Sequence, residues 1–259
     1  MTLTRPVANS EPIIYNRTME YFCITDVGLI REKNQDSYLA VFNSYGDFLV
    51  LVADGIGGGK AGEVASGETI QYFEENFKES GPFDSIEDAI SYMQFHVAGA
   101  NKRVYELSQK FVEYEGMGTT LTGILMTKNG TISINCGDSR VYGFIDDFSI
   151  KLTTDHTLVN QMLEKGQITY EESLNHPKKH YLVKAIGIFP VISADIHKVK
   201  DMDYYLICSD GLHSYVGDED ITFTVIDENR TVSEKVIDLK DMALMAGGYD
   251  NITIVLVKR

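Results

Sequence analysis

Five aspartates stand beside apolar, strand-like runs. Asp54 ends FLVLVAD, Asp138 follows ISINCG, Asp210 ends YYLICSD, Asp36 immediately precedes SYLAVF, and Asp250 immediately precedes NITIVLV. Three sit at strand exits and two at entrances. In an antiparallel sheet the exit of one strand lies beside the entrance of its neighbour, so all five can gather on one rim. One such Asp would be read as a turn or cap residue; five in the same relation to strands point to a shared task. Clustered carboxylates repel one another or pick up protons unless cations sit among them. With oxygen ligands and no His or Cys partner in the pattern, the cation should be hard, Mg²⁺ or Mn²⁺, and more than one ion is expected. A glycine follows Asp54 (Gly55) and Asp210 (Gly211), and Gly137 precedes Asp138, so the backbone can bend close to whatever the carboxylates hold.

The stretch around the first of these, LVADGIGGGKAGEVAS (51–66), also has the look of a phosphate cradle. A P-loop requires G-x-x-x-x-G-K-[ST]; aligned on Gly59-Lys60, the chain has Asp54 in place of the first glycine and Ala61 in place of the hydroxyl. The dinucleotide fingerprint G-x-G-x-x-G matches formally at Gly57, Gly59 and Gly62, and Glu79 lies near the distance of a ribose contact. That motif, however, needs a parallel strand soon after its first helix, and a second long helix follows here instead. The glycines are better read as keeping space around Asp54 open, so that a backbone carbonyl and a phosphate can come near.

The elements that must position these residues follow from periodicity. Strands are expected at 21–28, 37–43 and 47–54, then two long helices at roughly Ala61 to Phe77 and Ile86 to Glu113. Strands return at 119–127, 132–137 and 141–145, with Asn129-Gly130 as a hairpin turn signal. A loop-rich segment, 157–190, carries a short helix (LVNQMLEKG) and the basic cluster HPKKH at 176–180, which reads as a solvated turn or as an aid to capturing an anionic substrate. Strands at 192–199 and 203–210, helices near 217–226 and 233–245, and a strand at 251–258 close the chain. Strands joined mostly by turns, with helices inserted in pairs, imply antiparallel sheets covered by helices rather than a βαβ wind. With 259 residues, 44% of them apolar, the chain can bury a sizeable core in one large domain. Its net charge of −15 argues against nucleic acid or an anionic membrane as main partner. FLVLVA and TIVLV are too short to cross a bilayer, and MTLTRPVANSEP shows no secretory h-region. Cys23, Cys136 and Cys208, each in an apolar run, read as reduced buried thiols of a cytoplasmic protein.

Read in order, TDVGLIREKNQDSYLA (25–40), ADGIGGGKAGEVAS (53–66), GTTLTGIL (118–125), NCGDSRVYGF (135–144), LTTDHTLVNQML (152–163), HPKKHYLVKAIG (176–187), ICSDGLHSYV (207–216) and GYDNITIVLV (248–257) resemble the motifs of the metal-dependent protein phosphatases, the type 2C serine/threonine phosphatases, in their compact bacterial form. The resemblance implies an α+β fold: a central antiparallel β-sandwich flanked on both faces by pairs of antiparallel helices (four layers, αββα). It implies a short arm at 1–18, one phosphatase domain over 19–259 and a flap at roughly 157–190. It also implies two or three Mn²⁺ or Mg²⁺ ions at one end. Asp54 would bridge two of them and the Gly55 carbonyl would bind one; Asp210 and Asp250 would complete the first site; Asp138, with Asp210, would support a third ion; Asp36 would act through bound water; and Arg31 would hold the substrate phosphate. Bridged cations would supply hydroxide for in-line attack near neutral pH, and an Arg can grip phosphate through two parallel hydrogen bonds. The expected substrate is a phosphorylated protein, with a cognate serine/threonine kinase as a further partner. A catalytically silent phosphoprotein-binding module of the same fold is the alternative. Eukaryotic members often carry a His just after the Asp-Gly, where this chain has Ile56, and bacterial relatives often carry one where it has Gly59. No general acid is therefore assigned, and His156 and His213 are read as structural.

Overall fold

The structure, a computed structural model, describes residues 13–15, 19–57 and 61–259, with side chains from residue 19 onward. Two six-stranded antiparallel sheets form its centre. The first runs in the order β1 (Ile13–Tyr15), β2 (Met19–Asp26), β12 (Ile252–Lys258), β11 (Tyr204–Cys208), β8 (Arg140–Ile145) and β9 (Phe148–Lys151). The second runs β10 (Asp195–Val199), β7 (Gly130–Cys136), β6 (Leu121–Thr127), β4 (Phe48–Ile56) and β3 (Asp36–Phe42), with β5 (Gly118–Thr119) paired to the end of β4.

Strand alternation explains the layering. Along β4, Phe48, Val50 and Val52 enter the core between the sheets, where they meet Ile124, Val141, Tyr205, Ile207, Val255 and Val257. Leu49, Leu51 and Ala53 point the other way, onto α1 (Ala61–Phe77) and α2 (Ile86–Lys110), against Ile70, Phe73, Met93 and Val97. On the first sheet, Leu206, Ile252, Ile254 and Leu256 face α6 (Asp218–Ile226) and α7 (Val232–Met245) through Val225, Val236 and Leu239. Every residue of β4 from Phe48 to Ala53 is thus buried on one face or the other, which is why FLVLVA is a continuous apolar run. The expected αββα architecture is the one observed.

Boundaries differ in instructive ways. Of the arm expected over 1–18, Ile13–Tyr15 form the edge strand β1, paired with Tyr21 to Met19; the remainder lies outside the described residues. Asp54 does not end its strand: β4 continues through Gly55 and Ile56 because these pair with Thr119 and Gly118. Nor does Asp210 end one. β11 stops at Cys208, and Asp210 opens the short helix α5 (Asp210–His213). The hairpin between β6 and β7 is present, turning at Lys128-Asn129 with Thr127 opposite Gly130, one residue before the expected pair. Within 157–190 the structure has α3 (Leu158–Glu164) and also α4 (Tyr170–Leu174), whose capping box joins Thr169 and Glu172.

Candidate metal centre and its cleft

The strand-end rule brings the carboxylates together. Asp36 and Asp54 are direct cross-strand partners in β3 and β4. Asp210 follows β11 and Asp250 precedes its neighbour β12. Asp138 lies in the crossover from β7, in one sheet, to β8, in the other. Arg31, Asp54, Gly55, Asp138, Asp210 and Asp250 all line one cleft of about 910 Å³. Asp36 is not in that lining; it sits behind it, 8% exposed, with Oδ2 accepting a 2.7 Å hydrogen bond from Ser209 Oγ and Oδ1 buried without a partner.

Local backbone contacts set each position. The Asp54 N–H donates to Thr120 Oγ1 (2.9 Å), and its carbonyl accepts from the Thr120 N–H (2.8 Å) and Thr119 Oγ1 (2.9 Å). Gly55 must be glycine: a Cβ there would overlap the Gly62 carbonyl and lie 2.6 Å from the Gln35 carbonyl oxygen. Asp138 is held from behind by His213, whose Nε2–H donates to the Asp138 carbonyl at 3.0 Å. Arg31, half exposed, donates from Nη2 to Asp250 Oδ2 at 2.7 Å. Its ion-pair partner is thus an acid 219 residues away rather than the adjoining Glu32.

Several residues that organise the cleft carry no sequence signal of that role. Asn251, 5% exposed, accepts from the Gln35 N–H through Oδ1 (2.8 Å) and donates through Nδ2 to the Val27 and Lys33 carbonyls (2.9 Å each), which pins the loop bearing Arg31. Ser209 connects Asp36 to the Thr253 N–H (3.0 Å). Their residue types are ordinary, and what makes them functional is contact across the whole chain length. His156 is structural, as expected: Nδ1 accepts from the Gly137 N–H (3.0 Å) and Nε2 faces Asp195 Oδ2 (3.1 Å). Among the described residues, His180 is the one histidine lining the cleft.

The electrostatics are those of acids crowded around a single arginine, Arg31. Burial, then the charges of Asp36, Asp210, Asp138 and Asp250, push the Asp54 carboxyl well above its ordinary range. Asp138 is pushed up to about 8 and Asp36 to about 7, in both cases chiefly by burial, and Asp210 is raised by burial and by Asp250. Burial lowers His213 to about 3, so it stays neutral and acts as a hydrogen-bond donor.

The family profile described as Protein phosphatase 2C matches residues 31–242. The chain belongs to the protein phosphatase 2C family. Among relatives, serine/threonine phosphatase stp of Listeria innocua is 35% identical over 237 residues, covering 91% of this chain and 94% of that one. Protein phosphatase PhpP of Streptococcus pneumoniae is 33% identical, covering 92% and 97%. The crystal structure of serine/threonine phosphatase Stp1 from Staphylococcus aureus superposes with a TM-score of 0.88 at 30% identity, covering 97% of this chain and 99% of that one. This protein phosphatase 2C is accordingly an enzyme, a serine/threonine protein phosphatase.

Protein phosphatase 2C enzymes depend on metal ions, and the residues here fit such ions. Four carboxylates converge with one arginine, Arg31, among them, Asp36 keeps an unpartnered buried oxygen, and Gly55 lines the same cleft. Asp138, His180 and Asp210 offer ligand atoms that all lie within 4.8 Å of one another. No helix among the described residues is long and apolar enough to cross a membrane.

Proposed function

We propose that this protein phosphatase hydrolyses phosphoserine and phosphothreonine on proteins with two or three Mn²⁺ or Mg²⁺ ions held by Asp54, the Gly55 carbonyl, Asp210, Asp250 and Asp138. The observation that carries the assignment is the convergence of four acids from both sheets, with Arg31, on one cleft. When bound, such ions would supply hydroxide at neutral pH and offset charge on the phosphoryl oxygens.

The protein's own residues do the rest. Asp54, at the centre of the set, would contribute both carboxylate oxygens, and its backbone, held by Thr119 and Thr120, presents them without a search for geometry. Arg31 touches Asp250 through one nitrogen, leaving further guanidinium donors to grip the substrate phosphate in parallel. Asp36 would orient water from behind the cleft while Ser209 holds its other oxygen. Residues 19–259 form one phosphatase domain in this reading, with 157–190 as its flap. The enzyme works in the cytoplasm, opposite a serine/threonine kinase that acts on the same phosphoproteins in a signalling pathway. No acid of the expected set is missing, and no observation favours a silent binding module.

The test is turnover of a phosphothreonine peptide with and without Mn²⁺, in the wild-type chain and in Asp54→Ala and Asp210→Ala. Metal-dependent turnover that both substitutions abolish is expected. Turnover that survives exhaustive chelation, or that persists in the variants, refutes the assignment.

A further inference from the structure

His180 lies in the segment 157–190, yet it reaches the acids at the sheet ends. Its Nδ1 is 3.9 Å from Asp210 Oδ2, beyond hydrogen-bond range. Two ligands about 2.1 Å from one ion are about 3.0 Å apart at right angles and about 4.2 Å apart when opposed, so 3.9 Å lies between the two separations and a shift of a few tenths of an ångström reaches the larger. Asp138 completes the group.

The position of His180 is built into the backbone. The Leu158 N–H donates to the Tyr181 carbonyl (2.8 Å) and the Val183 N–H to the His156 carbonyl (2.9 Å). The His156 N–H in turn donates to the carbonyl of Gly137 (2.9 Å), the residue before Asp138. Three hydrogen bonds therefore connect the backbone that carries His180 to the backbone that carries Asp138. The imidazole itself is 53% exposed.

We infer that His180 is a protein ligand to a divalent cation held by Asp138 and Asp210, and that it biases this position toward Mn²⁺ over Mg²⁺. The inference rests on the metal-dependent reading of the same cleft. A site of carboxylates and water alone suits Mg²⁺ and Mn²⁺ alike, whereas an imidazole favours first-row transition ions. The nitrogen ligand also comes from a different part of the chain than the acids. Filling the site with Mn²⁺ therefore fastens residues 178–183 over the cleft, and Mg²⁺ does so less.

The full chain loaded with Mn²⁺ should show ¹⁴N coupling from a coordinated imidazole in pulsed EPR, and His180→Ala should lose it. By calorimetric titration the weakest Mn²⁺ site should lose about tenfold or more in affinity in His180→Ala, while Mg²⁺ binding stays as in the wild type. Mn²⁺ that binds the wild-type chain without ¹⁴N coupling, or with equal affinity in His180→Ala, overturns the role of His180 and leaves the acid site standing. Absence of any Mn²⁺ binding overturns both.

Discussion

Replacing Asn251 by Ala removes three hydrogen bonds at one stroke, those to the Gln35 N–H and to the Val27 and Lys33 carbonyls. Each is worth about 0.5–1.5 kcal/mol net, and the three backbone groups are left partly shielded from water, so the total comes to about 2–4 kcal/mol. In a protein of this size 1 kcal/mol moves the melting temperature by about 2–4 °C, which predicts a fall of about 4–16 °C. The loss should not stop at stability. All three bonds end on the 27–35 loop, and that loop carries Arg31. Freed from Asn251, the guanidinium no longer has a fixed place beside Asp250, and kcat/KM on a phosphothreonine peptide should drop more than about tenfold. Asn251→Asp is the informative companion: it keeps the volume and the acceptor for Gln35 but loses both donated bonds, and it adds a charge next to Asp250. It should fail as Ala does. Thermal unfolding and steady-state kinetics measure the two effects, and an Asn251→Ala chain that matches the wild type in both refutes the assignment of Asn251 as the anchor of this loop.

Arg31→Lys should leave stability almost unchanged, since a half-exposed ion pair contributes about 0–1 kcal/mol; kcat/KM should nevertheless fall more than about tenfold, because a lysine cannot copy the two parallel phosphate bonds. Gly55→Ala should destabilise by about 1–3 kcal/mol through overlap with the Gly62 and Gln35 carbonyls, and should abolish Mn²⁺ binding and turnover together; retained Mn²⁺ affinity would remove Gly55 from the metal site. The metal-free protein should lose stability as pH rises from about 7.5 to about 9. Above about 7.5 its lowered histidines, His96, His156 and His213, are almost wholly neutral whether folded or unfolded. What remains is the raised carboxyls, Asp36 at about 7 and Asp138 at about 8 together with Asp54 and Asp210, which hold protons that the unfolded chain has already released. The folded state then binds more protons, so the slope of stability against pH is negative. Melting curves in a chelator should show that slope, saturating Mn²⁺ should flatten it, and a positive slope in the chelator contradicts the crowding of these acids.

The parts of the fold legible in the sequence are those where burial imposes a period. FLVLVA reads as a strand buried on both faces because β4 packs on a sheet on one side and on α1 and α2 on the other. The opposite case is β9, Phe148–Lys151, which went unread because all four residues are exposed and no core face selects their types. The capping box that opens α4 is short and precedes only five residues, too few for a helical period to show. In the site, the acids were legible because strand ends in an antiparallel sheet have only two places to go. Ser209 and Asn251 were not, because their partners lie 173 and 216 residues away. HPKKH read as a basic turn, and its Lys178 and Lys179 are indeed exposed. Hydrogen bonds from 156–158 to 181–183, which no periodicity announces, hold the backbone on which His180 comes near Asp210.

The division of the acids between the sheets also says why they sit at this end of the sandwich. From Phe48 to Ala53 the inner strand β4 is apolar on both faces, and an unpaired carboxylate there would be prohibitively costly. At the strand ends the sheets part enough to admit the cleft. Asp36 and Asp54 come from the second sheet, Asp210 and Asp250 flank strands of the first, and Asp138 lies on the crossover between them. Neither sheet holds a complete set. Cations bound among these residues would therefore act on the seam between the sheets as well as on substrate, and the repulsion among the acids is exerted across that seam. The chemistry and the stability of this end of the fold accordingly depend on the same charges.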